Sequence, residues 1–244
     1  LITIDAEQMR EELINKIKSI CWSKTGYFPQ IKSEYKLPSV DKKVKHKSGS
    51  DEYPKYIVAI GTSTGGPKAL QDIVTKLPED IPAAILIVQH MPPGFTKSLA
   101  DRLDSLSMIN VKEAEDGDVL TSGWAYIAPG NHHMLINSYK DNKYKILLNN
   151  EAPENGHRPS VNVMMKSVAE TGHNNIIAVI LTGMGSDGSE GILEIKSAGG
   201  KTIAQDERTC VVYGMPKSAV NTGAIDTIAP LHGITGEILK CMGV

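Results

Sequence analysis

With 244 residues, 41% of them hydrophobic and 22% charged, the chain has material for one large domain or two small ones and reads as soluble and globular. A formal net charge of -2 gives no electrostatic footprint for nucleic acid or an anionic membrane surface. No signal peptide is recognisable, and no apolar run approaches the roughly 20 residues that a membrane helix needs. The three cysteines (Cys21, Cys210, Cys241) lack metal-ligand spacing and read as small buried thiols of a cytoplasmic protein.

Residues 1–21 carry one amphipathic pattern, with Met9, Leu13, Ile17 and Ile20 on a common face and a capping box at Asp5–Gln8. From Trp22 to Lys55 the periodicity vanishes. Eight lysines stand against four acids there, among Pro29, Pro38, Pro54 and Ser48-Gly49-Ser50, as in a flexible linker. The basic run Lys42 to Lys47 fits a solvated tether, or a site for an acidic partner. Leu1 is not a start methionine, so a fragment of a longer protein is expected.

Beyond Tyr56, apolar strand-like runs alternate with helical patterns. That predicts an α/β domain with a doubly wound, mostly parallel sheet and helices on both faces. Strands are expected at Ile57–Ile60, Ala84–Val88, Val111–Ala114, Ala125–Ala128, Ile176–Leu181, Thr202–Ala204 and Asp226–Ala229. Helices are expected at Pro67–Lys76, Phe95–Leu106, Pro159–Glu170, Ser189–Ser197, Pro216–Thr222 and Gly233–Cys241. Two alternating runs between Met134 and Leu148 flank Asp141-Asn142 and predict an attached antiparallel hairpin.

The run YIVAIGTSTGGPK from Tyr56 to Lys68 reads as strand, tight turn and helix. Within it, Gly61 to Gly65 fits G-x-S-x-G around Ser63, although a phosphate-binding or merely tight turn fits the glycines equally well. In a doubly wound sheet, functional groups gather at the carboxyl ends of the strands. Ser63 follows the first strand, His90 ends the second, and Asp187 follows the strand IIAVIL. These types in that placement suit acyl transfer: a hydroxyl attacks, an imidazole takes its proton, and a carboxylate orients the imidazole. The order Ser, His, Asp differs from that of α/β-hydrolases, which disfavours an ordinary lipase or esterase.

A dinucleotide site would want an acidic residue at the end of the second strand, which instead ends Gln89-His90. His132 and His133 are the reserve base candidates, Asp116 and Asp118 read as turn residues, and Asp187 could instead cap a helix. The glycine-rich segments GTSTGG and TGMGSDG are the expected supply of backbone oxyanion donors. His132-His133 with His157 is too loosely spaced for a metal, and no cofactor is expected.

The blocks GTSTGG, QHMPPGFTKSLADRLD, AYIAPGNHHM, RPSVNVMMKSVAE, LTGMGSDGSEG and AQDERTCVVYGMPKSAV run in order from about Tyr56 to the C-terminus. Together they closely resemble the catalytic domain of the chemotaxis protein-glutamate methylesterases, the CheB family. The resemblance implies a cytoplasmic hydrolase, free of cofactors, that removes methyl groups from glutamyl γ-methyl esters of chemoreceptors and in many members deamidates receptor glutamines. It places the nucleophile on Ser63, the base on His90 and the aspartate on Asp187, with a transition-state role for the Met184 amide and a supporting one for Thr64. It also implies a monomer in which residues 1–55 are helix and linker after an absent receiver domain and 56–244 are catalytic. The family block commonly reads PSVD where this chain has Asn162, which suggests altered chemistry next to the site or at the surface. From another class, a non-catalytic docking or nucleotide-binding module on the same fold remains the alternative.

Overall fold

The computed structural model describes residues 53–139 and 143–243. The expected N-terminal helix, the linker up to residue 52, Cys21 and the Asp141-Asn142 turn lie outside the described residues. Seven parallel strands form one sheet in the order β3-β4-β2-β1-β7-β8-β9. They are β1 Tyr56–Thr62, β2 Ala83–Gln89, β3 Asn110–Glu113, β4 Trp124–Ile127, β7 Ile176–Ile180, β8 Lys201–Gln205 and β9 Thr227–Ala229. β5 (His133–Tyr139) and β6 (Lys143–Asn149) make a separate antiparallel pair. The six α-helices among the described residues are α1 Gly66–Val74, α2 Phe95–Leu106, α3 Val161–Glu170, α4 Ser189–Ser197, α5 Met215–Asn221 and α6 Leu231–Met242.

The central strands are apolar at nearly every position because both faces are covered. Val58, Ile60, Ile85, Ile87 and Val179 pack with Leu70 and Ile73 of α1, Leu103 of α2 and Ile234 and Ile238 of α6. Their neighbours Ile57, Ala59, Leu86, Val88 and Ile180 turn to the other face, against Met164 and Met165 of α3, Ile192 of α4 and Met215 of α5. The hairpin is not paired with the main sheet. Its Met134 and Ile136 join the second cluster beside α3, and the Ile136 amide donates to Ser167 Oγ at 3.0 Å.

Strand order reverses at β1. The chain goes from β1 to β2 on one side and returns through β7 to the other side, so the crevice at the carboxyl ends of β2, β1 and β7 is the topological switch point. Asp116 and Asp118 sit in a turn, as expected, accepting from the Leu148 and Glu115 amides at 2.9 and 2.8 Å. Cys210 and Cys241 are half-buried, and burial pushes the Cys210 thiol up to about 11.

Candidate active site

Register brings the first two residues together. Thr62 pairs with Gln89 across the β1–β2 ladder, so Ser63 and His90 occupy the next rung, and the His90 amide donates to Thr62 O at 3.2 Å. On the other flank Gly61 pairs with Ile180 of β7, and the Ser63 amide donates to Thr182 O at 3.1 Å. The turn after Ser63 is closed by Gly66 N–H donating to Ser63 O at 2.8 Å, with Gly65 in the left-handed region at φ 85°. Ser63 itself is not in that region, unlike the strained serine of a nucleophile elbow.

Asp187 reaches the same crevice from the loop after β7. Its side chain is fully buried, and Oδ2 accepts from His90 Nε2 at 2.8 Å and from the Val161 amide at 2.7 Å. Oδ1 accepts from Ser160 Oγ at 2.9 Å and from the Asn162 amide at 3.0 Å. The carboxylate therefore lies on the N-terminus of α3 rather than on its own helix α4, whose cap is Gly188. Burial pushes the Asp187 carboxyl up, but the hydrogen bonds from His90 and from the Asn162 and Val161 amides outweigh it and hold the group below its ordinary value. Asp187 stays ionised.

An ionised acceptor at Nε2 fixes the proton on that nitrogen and leaves Nδ1 with its lone pair. Nδ1 is buried and has no hydrogen-bond partner among the described residues. It is the ring nitrogen able to accept a proton. Ser63 Oγ makes no hydrogen bond among the described residues, and neither do the Thr64 and Met184 amides; Met184 is 72% exposed at the rim.

The reserve histidines are elsewhere engaged. His133 is buried, with Ser160 N–H donating to its Nδ1 and Nε2 bonded to Ala152 O, both at 3.2 Å. His132 Nδ1 lies 3.3 Å from Gly130 O. Neither joins the His90–Asp187 pair.

The CheB methylesterase family model matches residues 58–238. The chain belongs to the CheB methylesterase family. A protein-glutamate methylesterase/protein-glutamine glutaminase of Syntrophomonas wolfei is 43% identical over 251 residues, covering 99% of this chain and 68% of that protein. One from Oceanobacillus iheyensis is 53% identical over 191 residues, covering 78% of this chain and 54% of that protein. The chain thus spans about two thirds or less of the relatives' own length. The crystal structure of the Thermotoga maritima CheB methylesterase catalytic domain superposes with a TM-score of 0.74 at 46% identity, covering 78% of this chain and 99% of that one.

Two residues of this CheB-family site have contacts that the sequence reading does not supply, although it marks the second as a departure next to the site or at the surface. His157, set aside there as a loose metal ligand, stacks on His90 with ring centroids 4.0 Å apart and planes 5° from parallel. Burial and the neighbouring His90 lower its pKa from the ordinary 6.5. His157 is therefore a neutral plate against the face of the ring, forming with it the wall of a cavity that Met91, Pro92 and Arg158 complete. Its only sequence signal was its type.

Because the folded state holds His157 neutral while the unfolded chain protonates near 6.5, the unfolded state binds more protons, and stability falls as pH drops through that value. His157→Phe should flatten that acid-side loss in a pH series of thermal denaturations. It should also keep most of kcat, whereas His157→Ala, which frees the ring to tilt, lowers it about 10-fold or more.

Asn162 is the second. It is 1% exposed, which rules out a surface role. Its Oδ1 accepts from the Gly188 and Gly191 amides at 2.9 and 3.0 Å, capping α4 from the first turn of α3. A neutral amide thus holds the two helix starts together beside the Asp187 carboxylate.

Gly183 shows how closely the β7 loop presses on the serine. A Cβ there would stand 2.9 Å from Ser63 Cβ and 2.3 Å from Met215 Sδ. Gly183→Ala should displace the serine and lower kcat by about 10², read against an unchanged circular-dichroism spectrum.

Proposed function

We propose that this chain hydrolyses glutamyl γ-methyl esters on methyl-accepting chemoreceptors, and deamidates receptor glutamines, by Ser63 acyl transfer. The observation that carries the reading is the His90 ring, tied to Asp187 through Nε2, without a partner at Nδ1 among the described residues, and on the same rung as Ser63. The names of the relatives supply the substrate class.

His90 Nδ1 takes the Ser63 proton as Oγ attacks the ester carbonyl. The nucleophile–base hydrogen bond forms with substrate in place, as is common when an empty site tightens on binding. The tetrahedral oxyanion meets the unpartnered Thr64 and Met184 amides. Collapse expels methoxide, which leaves as methanol with the proton from His90, and water then cleaves the acyl-enzyme by the same steps in reverse order. Deamidation differs only in expelling ammonia. Asp187 keeps the His90 proton on Nε2 and stabilises the imidazolium that forms.

The surrounding protein is proposed to be cytoplasmic and monomeric, with residues 1–55 as helix and linker following a regulatory receiver domain and 56–244 as the catalytic domain. No helix among the described residues is long and apolar enough to cross a membrane. A nucleotide module is disfavoured because Gln89, where a ribose-binding acid would stand, is buried and committed to backbone carbonyls.

Methanol release from membranes bearing methylated receptors tests the reading. Wild-type protein should release methanol from them far faster than from small soluble γ-methyl esters, since much of the binding energy comes from the receptor surface. Folded protein that releases none from either would make the domain a docking module.

A further inference from the structure

Gln89 closes the apolar strand AAILIVQ and is 2% exposed, an amide where the six preceding residues are aliphatic. Its Nε2 protons go to two backbone carbonyls, Ser63 O at 3.0 Å and His90 O at 3.1 Å. Its Oε1 is buried without a donor among the described residues. The reverse orientation of the amide would set that oxygen against both carbonyls, so the contacts themselves fix which end is which. A buried acceptor left without a donor is unfavourable. The other end of the side chain has to compensate. Space is also committed to it, because a Cβ at Gly66 would lie 1.9 Å from Oε1.

The Ser63 carbonyl receives two donors, Gln89 Nε2 and the Gly66 amide at 2.8 Å. In a trans peptide the C=O and the following N–H point in opposite directions. Holding Ser63 C=O inward on Gln89 therefore turns the Thr64 N–H outward, and that N–H makes no hydrogen bond among the described residues. The same construction occurs across the crevice. Gly183 O accepts from the Gly214 and Met215 amides at 3.0 and 2.9 Å, which pins the next peptide with its Met184 N–H unpartnered. There the donors are backbone at the start of α5; at Ser63 one of the two is a side chain.

We infer that Gln89 is a positioning residue that presets the oxyanion site, locking the Ser63–Thr64 peptide so that the Thr64 amide faces the developing negative charge. The inference rests on the acyl-transfer reading above. An unlocked peptide that rotates would replace a donor by a carbonyl oxygen, so the loss falls on the transition state and not on ground-state binding.

The test compares wild type, Gln89→Leu and Gln89→Glu on a soluble peptide γ-methyl ester. It adds inhibition by an alkyl boronic acid, whose serine adduct carries a negatively charged oxygen. For Gln89→Leu, kcat should fall about 10² with KM unchanged within twofold, and the boronate inhibition constant should rise by a similar factor. Gln89→Glu distinguishes a positioning role from simple packing. Ionised, its carboxylate repels both carbonyls; protonated, it can donate to one. Its rate relative to wild type should therefore climb as pH is lowered, while the Gln89→Leu ratio stays flat.

If Gln89→Leu fails to fold, the pH-dependent ratio of Gln89→Glu decides alone. A raised KM at normal kcat, unchanged boronate inhibition, or a flat ratio for Gln89→Glu would overturn the assignment. Wild-type protein that neither hydrolyses the ester nor binds the boronate would sink the enzyme reading itself.

Discussion

Replacing Ser63 or His90 by alanine should lower methanol release by on the order of 10⁴ to 10⁶, each alone costing about as much as both together. In the proposed mechanism the serine supplies the atom that bonds to the acyl group, and the imidazole makes that atom nucleophilic and later protonates the leaving group; neither half functions without the other. His90 is the residue whose loss is hardest to replace locally. Both nitrogens of His133 are already engaged, and His157, stacked on the His90 ring, has no carboxylate bonded to it among the described residues. The double variant Ser63→Ala/His90→Ala should add little to either single change. A His90→Ala protein with more than a few per cent of wild-type turnover would move the base elsewhere.

Asp187→Asn should cost about 10⁴ in kcat, from the geometry of its four donors. The wild-type carboxylate accepts from His90 Nε2, Ser160 Oγ and the Val161 and Asn162 amides. A carboxamide has one acceptor oxygen: its NH₂ at the Oδ1 position opposes the Asn162 amide, and at the Oδ2 position it opposes both His90 Nε2 and the Val161 amide. The second arrangement draws a lone pair to His90 Nε2 and places the proton on Nδ1, the nitrogen that has to accept from Ser63. Either arrangement sets donor against donor at the buried start of α3 and lowers stability as well. Since hydrogen bonds hold the Asp187 pKa below its ordinary 3.8, the stability it contributes is present above that pH and lost only as pH falls through the folded value. The variant should show a lower Tm at neutral pH and a smaller loss of Tm on acidification. Turnover within tenfold of wild type would mean that Asp187 merely caps α3.

The sheet was legible because both faces are buried: runs such as IIAVI and AAILIVQ cannot alternate, and their continuous apolar character marks parallel strands. Helix starts were less so. Proline suggested a start at 159, but Ser160 caps the helix through the Val163 amide and the first turn begins at Val161. The strand-end rule placed Ser63, His90 and Asp187 on one edge, and the structure puts them there. The partner that Asp187 binds was not legible. Locally Asp187 looked like a cap for α4, and only tertiary packing brings the start of α3, 25 to 27 residues back, under its carboxylate. The stacking of His157 and the capping by Asn162 were hidden for the same reason, since such contacts leave no mark at fixed spacing, although Asn162 itself stood out as a departure from the family block. Gln89 did leave one, a polar residue ending an apolar strand next to His90.

Ser63 Oγ is the atom proposed to be acylated. A fluorophosphonate probe, which phosphonylates an activated serine, tests it directly when the labelled protein is digested and mapped by mass spectrometry. The account predicts one adduct, on Ser63, and none in His90→Ala. An adduct on another residue that abolishes activity while Ser63 stays unmodified, or esterase activity that survives complete labelling of Ser63, would contradict it.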